Sequence, residues 1–199
     1  NATLLMPTPL PQYNLIGVGE MPKNLSDFDG KRLRGPGGIA EVMAQLGAVK
    51  TGVPASEVRQ ALDSGVIDTV AFAQHAHLAF GSVQAGKWAT SNLNLGTANC
   101  PVVVNTDALN GLTEAHRAAL LSSVDEVLAY YVSNYEGKVV DKYNQALEDK
   151  GIEILTFTPA QTAELDKLGA SVRAQWIADN SEDFDAQALY DFTVALFNK

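Results

Sequence analysis

The sequence predicts an α/β protein in which a mostly parallel sheet is flanked by helices and followed by long C-terminal helices. From Asp29 onward, short apolar segments alternate with segments of helical periodicity. Residues 66–72 are apolar apart from Asp68 and Thr69, which is typical of a strand covered on both faces. Beyond Thr113, apolar residues recur at helical spacing over a long stretch, which predicts an extended helix.

The N-terminal residues are expected to be extended. Two short apolar runs, 4–6 and 13–18, are separated by Pro7, Pro9 and Pro11, and proline disfavours helix in this region. We therefore predict strands in both runs.

The sequence predicts three strands joined by two helices in the central part of the chain. Gly65 is placed to end the second helix as a C-terminal cap, after Pro54 and Ser56 have opened it. The predicted elements are strands at 31–34, 48–53 and 66–72, with helices at 37–46 and 54–64.

The C-terminal part is predicted to be mainly helical. Residues 81–99 have weak periodicity and are predicted to be irregular, with room for one short strand. A long helix capped by Thr113 is expected to bend near Gly137, and the Thr158 to Gln161 segment forms a capping-box pattern before another helix. Strands are predicted at 101–105 and 152–157, and a helix break at 179–183.

Composition limits the possible functions. The net charge of −9 and the pI near 4.7 repel polyanions, and no run of Lys or Arg offsets this field, so nucleic acid is excluded as a partner. An anionic ligand would need a local device, such as a positioned Arg or a helix N-terminus. No apolar run approaches the roughly 20 residues of a membrane helix.

The single Cys100 excludes an internal disulfide and a cysteine-based zinc site, and it leaves the compartment open. The chain begins at Asn1 without Met or a leader. We therefore expect either a processed mature chain or a fragment of something longer, and the sequence leaves both open.

Several motifs resemble one family. Residues 27–34, Asp-Phe-Asp-Gly-Lys-Arg-Leu-Arg, are similar to the D-x-x-G-x-x-x-R segment of DctP-type solute-binding proteins of TRAP transporters. Gly47-Ala48 and the 56–68 segment, which starts Ser-Glu-Val, resemble its GA…SEVYxALQxGxVDG signature. Residues 102–105 with a helix start at Leu112-Thr113 resemble its LVxNKxxWxxLP stretch without the aromatic residue, and 150–154 fit its Lys-Gly-Ile-Glu-Ile strand.

This resemblance covers most of residues 24–157 and implies a periplasmic binding protein-like fold with two lobes around a cleft. The chain would supply residues 1–22 as leading strands and hinge, 23–105 as an α/β ligand-binding lobe, and 106–199 as a helical part with one strand packing across the lobes. The N-terminal lobe is expected to be absent. The implied function is capture of a small organic carboxylate in the periplasm and its delivery to TRAP membrane subunits, with no cofactor.

Arg34 is the principal candidate for ligand binding. It ends a predicted strand before Gly35-Pro36-Gly37-Gly38 and a helix start, and its planar guanidinium can form two parallel hydrogen bonds to a carboxylate. In the resembling family, the Arg at this motif position holds the substrate carboxylate. The alternative is a surface Arg beside a turn.

Phe72 is the second candidate. Where dicarboxylate and sialic-acid binders of the resembling family carry a polar Gly-Gln-Glu-Asn stretch, residues 69–72 read Thr-Val-Ala-Phe. A phenyl ring beside ligand hydroxyls would leave them unpaired at a cost, so we expect a less polar ligand, a monocarboxylate. Phe72 could equally be an ordinary core residue.

Gln74 and His75 follow the same strand and are candidate ligand contacts, because α/β sheets bind ligands beyond their carboxyl ends. His75-x-His77 could face a metal if extended, but a lone pair of this kind is more often structural, so we predict no metal. Asn99, Tyr13 and Asn14 are further candidates. No second Arg accompanies the leading strand, and Tyr13 or Asn14 could take its place. Trp88 and Trp176 are expected to be packing residues, although Trp88 could line the cleft.

Other function classes have less support. Residues 35–38 lack the Gly-Lys-Ser/Thr ending of a phosphate loop. An enzyme is disfavoured because Cys100 has no His at motif spacing and no Gly-x-Ser-x-Gly elbow is present. A ligand-binding module of a sensory system stays open as an alternative to transport.

Overall fold

A computed structural model describes residues 1–197 of the chain. Its centre is a six-stranded mixed sheet in the order β4-β3-β5-β2-β6-β8, and a separate two-stranded sheet pairs β1 with β7. The strands are β1 (Ala2–Met6), β2 (Asn14–Gly17), β3 (Arg32–Arg34), β4 (Val49–Lys50), β5 (Thr69–Phe72), β6 (Trp88–Thr90), β7 (Val102–Asn105) and β8 (Glu153–Leu155).

The α/β prediction is confirmed, and the sheet is mixed because one strand, β2, runs against the other five. β3 pairs in parallel with β4 and β5, and β6 pairs in parallel with β8. β2 enters the middle of the sheet from the N-terminal segment and runs antiparallel to both β5 and β6. The parallel pairs are joined by helical crossovers, whereas β2 arrives without one.

Nine α-helices accompany these strands within residues 1–197. Thr113 and Thr158 cap α6 and α8 with their side chains, as the sequence predicts. The helices are α1 (Gly37–Gln45), α2 (Val58–Asp63), α3 (Gln74–Ala79), α4 (Ser82–Ala85), α5 (Thr106–Asn110), α6 (Glu114–Asn134), α7 (Val140–Asp149), α8 (Pro159–Asn180) and α9 (Ala186–Phe197).

The sheet separates two hydrophobic cores. One core contains Leu15, Leu33 and Trp88 with residues of α1 and α8, and the other contains Ile16, Val70 and Phe72 with residues of α2, α3 and α7. Successive strand residues point to opposite faces, which explains why Leu15 and Ile16 belong to different cores. All four residues of β5 are buried, as expected for a strand covered on both sides.

The structure adds detail to three sequence expectations. Residues 81–99 contain the one short strand that was expected, β6, and also the short helix α4, which shows no periodic pattern in the sequence. β7 is a strand, but it pairs with β1 outside the main sheet. Near Gly137 the helix is interrupted by a π-helical segment, Tyr135–Val139, which holds an extra residue in one turn.

The outer helices, defined as α6, α8 and α9, bury little of their surface within the described chain. No residue of α6 is buried, and α8 buries Leu165 and Gly169. Large apolar side chains are exposed along all three helices, including Leu121, Val127, Tyr130, Trp176, Leu189 and Phe192. None of the helices within residues 1–197 combines the length and apolarity needed to cross a bilayer.

Candidate functional site

The candidate site lies at the edge of the main sheet where β3 and β5 end. Arg34 is the last residue of β3, Phe72 is the last residue of β5, and Asn14 begins the antiparallel β2 beside Phe72. The register pairs Arg34 with Val70, so Arg34, Phe72 and Asn14 share one face of the sheet. Three of the sequence candidates are therefore brought together by strand pairing.

Arg34 is held in place but keeps hydrogen-bond donors for a ligand. Its Nε donates to the carbonyl of Val53 at 3.2 Å, and its guanidinium carbon lies 4.5 Å from the centroid of the Phe72 ring. Among residues 1–197, no carboxylate forms an ion pair with it and its two terminal nitrogens have no hydrogen-bond partner. Burial lowers the pKa of the guanidinium and the neighbouring Tyr13 raises it, and the group stays charged at neutral pH.

The turn after Arg34 is built by close packing. A Cβ on Gly35 would lie 3.1 Å from the Leu33 side chain and 3.2 Å from Ala71. Glycine therefore lets the chain pass close to the sheet before α1 begins at Gly37. The positive end of the α1 dipole follows Arg34 in the chain after this turn.

Arg32, two residues earlier, has a different role. Its side chain forms two hydrogen bonds with the Asp68 carboxylate, from Nε at 2.9 Å and from a terminal nitrogen at 2.7 Å, and its backbone N–H donates to the same group at 2.8 Å. These bonds from Arg32 lower the pKa of Asp68. Arg32 is thus engaged within the fold, whereas Arg34 retains free donors.

Phe72 is a core residue that also supports Arg34. It is 4% exposed, and its ring packs edge-on against His77, with 5.6 Å between the ring centroids, and lies tilted against Phe80 at 5.5 Å. Its contact with Arg34 is a cation–π interaction. Phe72 is therefore a core residue whose ring also contacts Arg34.

His77 lies beneath the site, in the core. Its Nε2–H donates to the Asn14 carbonyl at 3.1 Å, and its Nδ1 accepts from the Ser82 hydroxyl at 2.7 Å. Complete burial lowers the pKa of His77 to about 3, so the ring is neutral. Its neutral ring stacks on Tyr143 at 5.7 Å.

The extended His75-x-His77 arrangement considered from the sequence is wrong, because both residues lie on α3. Side chains two positions apart on a helix diverge, and here His77 is buried while His75 is exposed. Within residues 1–197 no group of three or more potential metal ligands occurs.

Gln74 and His75 contact Tyr135, which the sequence pattern places only in the long apolar stretch beyond Thr113. The Tyr135 hydroxyl lies 3.3 Å from Gln74 Oε1 and 2.9 Å from His75 Nδ1. The rings of His75 and Tyr135 pack edge-on, with 5.5 Å between their centroids. Partial desolvation lowers the pKa of His75, and burial raises the pKa of Tyr135 to about 12. The spacing of Tyr131 and Tyr135 was visible in the sequence, but their direction depends on the π-helical turn.

Tyr13 adjoins this group, whereas Asn99 does not. Tyr13 is buried just before β2, and its interaction with Arg34 partly offsets the rise in its pKa caused mainly by burial. Asn99 is exposed and accepts a hydrogen bond from the Thr8 backbone at 3.2 Å, in the connection to the two-stranded sheet. The described structure therefore collects Tyr13, Asn14, Arg34, Phe72, Gln74 and His75 but leaves Asn99 apart.

Trp88 does not line the site. It is fully buried in the core on the opposite face of the sheet, packs edge-on against Phe28 at 6.2 Å, and donates from Nε1 to the Val18 carbonyl at 3.3 Å. The expectation of a packing role is met by these contacts.

A family model described as "Bacterial extracellular solute-binding protein, family 7" matches residues 22–179. That range includes Arg34 and the 56–68 segment on which the resemblance rested, so the resemblance is confirmed.

Solved structures of similar fold belong to the same group. A TRAP solute-binding protein from an unidentified marine-metagenome microbe, specific for pyroglutamate, is 25% identical, with a TM-score of 0.82 over 96% of this chain and 62% of that one. A Rhodoferax ferrireducens TRAP periplasmic solute-binding protein with bound malonate is 15% identical, with a TM-score of 0.83 over 98% and 62%. A Bordetella pertussis extracytoplasmic solute receptor binding pyroglutamic acid is 23% identical, with a TM-score of 0.78 over 96% and 62%. The chain thus spans about three fifths of the length of each.

Proposed function

We propose, since the chain belongs to family 7 of the bacterial extracellular solute-binding proteins, that it takes part in capturing a small organic carboxylate in the periplasm and presenting it to the membrane subunits of a TRAP transporter. The family and the similar structures are solute receptors and not enzymes. We extend that property to this chain, whose site would bind without making or breaking a covalent bond.

The observation that carries the proposal is the state of Arg34. Its Nε is fixed by the Val53 carbonyl and its face rests on Phe72, while its terminal nitrogens have no partner within residues 1–197. A guanidinium fixed in this way loses little side-chain entropy when a carboxylate pairs with its two free terminal donors. The side chain of Arg32, by contrast, donates to Asp68. Of these two arginines, Arg34 is therefore the one available to a ligand.

The ligand class follows from the surroundings of Arg34. A monocarboxylate fits best, because Arg34 is accompanied by Phe72, Tyr13 and Asn14 and by no second cation among these neighbours. The marine-metagenome relative at 25% identity is specific for pyroglutamate, which has one carboxylate. That ligand supports the class without identifying the ligand of this chain.

The energetics require more than Arg34. A charge-assisted hydrogen bond contributes about 1.5 to 3 kcal/mol, whereas micromolar affinity corresponds to about 8 kcal/mol. We infer that closure of two lobes supplies additional contacts, with residues 23–105 forming the ligand-binding lobe, 1–22 the leading and hinge segment, and 106–199 the helical part. The exposed apolar residues of the outer helices would then pack against the other lobe.

The test is a calorimetric titration of organic acids against the protein in its full natural length and against Arg34→Ala. The affinity for any acid that binds the parent is expected to fall about tenfold to a hundredfold, because the charge-assisted contact is lost. Arg32→Ala is the matched control, since Arg32 lies on the same strand but is bound to Asp68. Equal affinity of the parent and the Arg34→Ala variant would refute the assignment.

A further inference from the structure

A hydrogen-bonded cluster beyond the end of β5 consists of Gln74, His75 and Tyr135, and the contact of a carboxylate with Arg34 does not use it. Tyr135 is 7% exposed and begins the π-helical segment, and its hydroxyl reaches Gln74 Oε1 and His75 Nδ1 at the start of α3. The backbone N–H of His75 also donates to the same hydroxyl at 3.4 Å. Short π-helical segments inside α-helices are frequent at functional sites.

Counting protons fixes the direction of each bond. The phenol is neutral, since burial raises the pKa of Tyr135 to about 12, and it has one hydrogen to donate. Gln74 Oε1 can only accept, so the phenol hydrogen goes to Gln74. His75 must then carry its proton on Nδ1 and donate to the phenol oxygen, which leaves its Nε2 unprotonated.

This arrangement orients the Gln74 amide. Its oxygen is occupied by Tyr135, and its nitrogen carries two hydrogens with no acceptor anywhere in residues 1–197. Gln74 lies two residues beyond Phe72, the residue on which Arg34 rests. The amide donors therefore lie on the same edge of the sheet as the carboxylate-binding guanidinium.

We propose that Gln74 is a second ligand-binding residue, which donates from its amide nitrogen to an acceptor oxygen of the ligand, with Tyr135 and His75 as positioning residues. The proposal rests on the proposed function and narrows its ligand class to a monocarboxylate that carries a further carbonyl or similar acceptor oxygen. The Phe72 ring offers no hydrogen-bond partner, so ligand hydroxyl groups placed beside it would stay unpaired.

The experiment compares matched acids with and without an oxo group on the protein in its full natural length. The pairs are 2-oxobutanoate with butanoate, 4-oxopentanoate with pentanoate, and 5-oxohexanoate with hexanoate, which vary the distance between carboxylate and acceptor. In the parent, at least one oxo acid is expected to bind about five- to tenfold more tightly than its partner, as for one net hydrogen bond.

Two variants test which residues cause the preference for the oxo acid. Gln74→Leu should abolish the preference for the oxo acid over the plain acid, because Leu keeps the volume and removes the donors. Tyr135→Phe should reduce the preference partially, and the double variant should lose no more than Gln74→Leu alone, since Tyr135 acts through Gln74. A purely structural role would weaken both acids of a pair equally, and that result would overturn the inference.

The two proposals fail in different ways. If plain acids bind in an Arg34-dependent manner but no oxo acid is preferred in the parent, the Gln74 inference is overturned and the proposed function stands. If no acid of either series binds the parent, the proposed function fails and the Gln74 inference fails with it.

Discussion

The main sheet and the outer helices bury their residues very differently. All four residues of β5 are buried, whereas none of the 21 residues of α6 is. Trp88 in β6 is fully buried, whereas Trp176 in α8 is 43% exposed. The apolar residues of the sheet are therefore buried in its two cores, while the outer helices leave large apolar side chains partly exposed within residues 1–197.

This difference has a consequence for the location of binding residues. Arg34, Phe72 and Asn14 stand on strands whose positions are fixed by pairing and by core packing, which suits a site that must keep its geometry. Tyr135 joins them from the start of the π-helical segment, where α6 passes into α7. The candidate site is thus a rigid sheet edge to which α3 adds Gln74 and His75 and the π-helical segment adds Tyr135.

The largest expected effect is on the free energy of unfolding, and it differs between variants of the two tryptophans. Trp88→Ala should lower the free energy of unfolding by about 3 to 5 kcal/mol, because it removes a fully buried ring that packs on Phe28. Trp176→Ala should lower it by less than about 1 kcal/mol, since that ring is partly exposed. Urea denaturation followed by circular dichroism measures both, and similar losses would show that the outer helices are as tightly packed as the sheet.

The next effect is a pH dependence caused mainly by His77, to which His75 adds in the same direction because its pKa is also lowered. The pKa of His77 is about 3 in the folded protein and near 6.5 in the unfolded chain, so the unfolded state binds more protons between these values. Stability should therefore be fully present above pH 6.5 and fall by up to about 1.4 kcal/mol per pH unit as the pH drops below it. Stability curves between pH 7 and about 5 measure this slope.

The protonation state of the His77 ring provides the control for this pH dependence. Nuclear magnetic resonance should show His77 neutral and protonated on Nε2 throughout that range, as its bond to the Asn14 carbonyl requires. The Asp68 carboxylate does not interfere, because its pKa is lowered and its stabilising contribution is lost only at more acid pH. A His77 ring that titrates near 6.5 in the folded protein would contradict the prediction.

The smallest effect concerns α6. Leu121→Gln should change the free energy of unfolding of this chain by no more than about 0.5 kcal/mol, because Leu121 is 48% exposed. In a longer natural form with a first lobe on the outer helices, the same change should cost more, since the residue would be buried there. An equal and small effect in both forms would remove support for packing of a first lobe at this position.

The sequence determined the α/β class, the helix caps at Thr113 and Thr158, the family and the position of Arg34, because each depends on local pattern or on motif spacing. Tertiary structure decided which candidates meet. Strand pairing places Asn14 beside Phe72, and β2 enters the sheet against the parallel direction, neither of which local periodicity encodes. Only packing assigned His77 to the core, left Asn99 apart, and turned Tyr135 toward Gln74, because these outcomes depend on contacts between residues far apart in the chain.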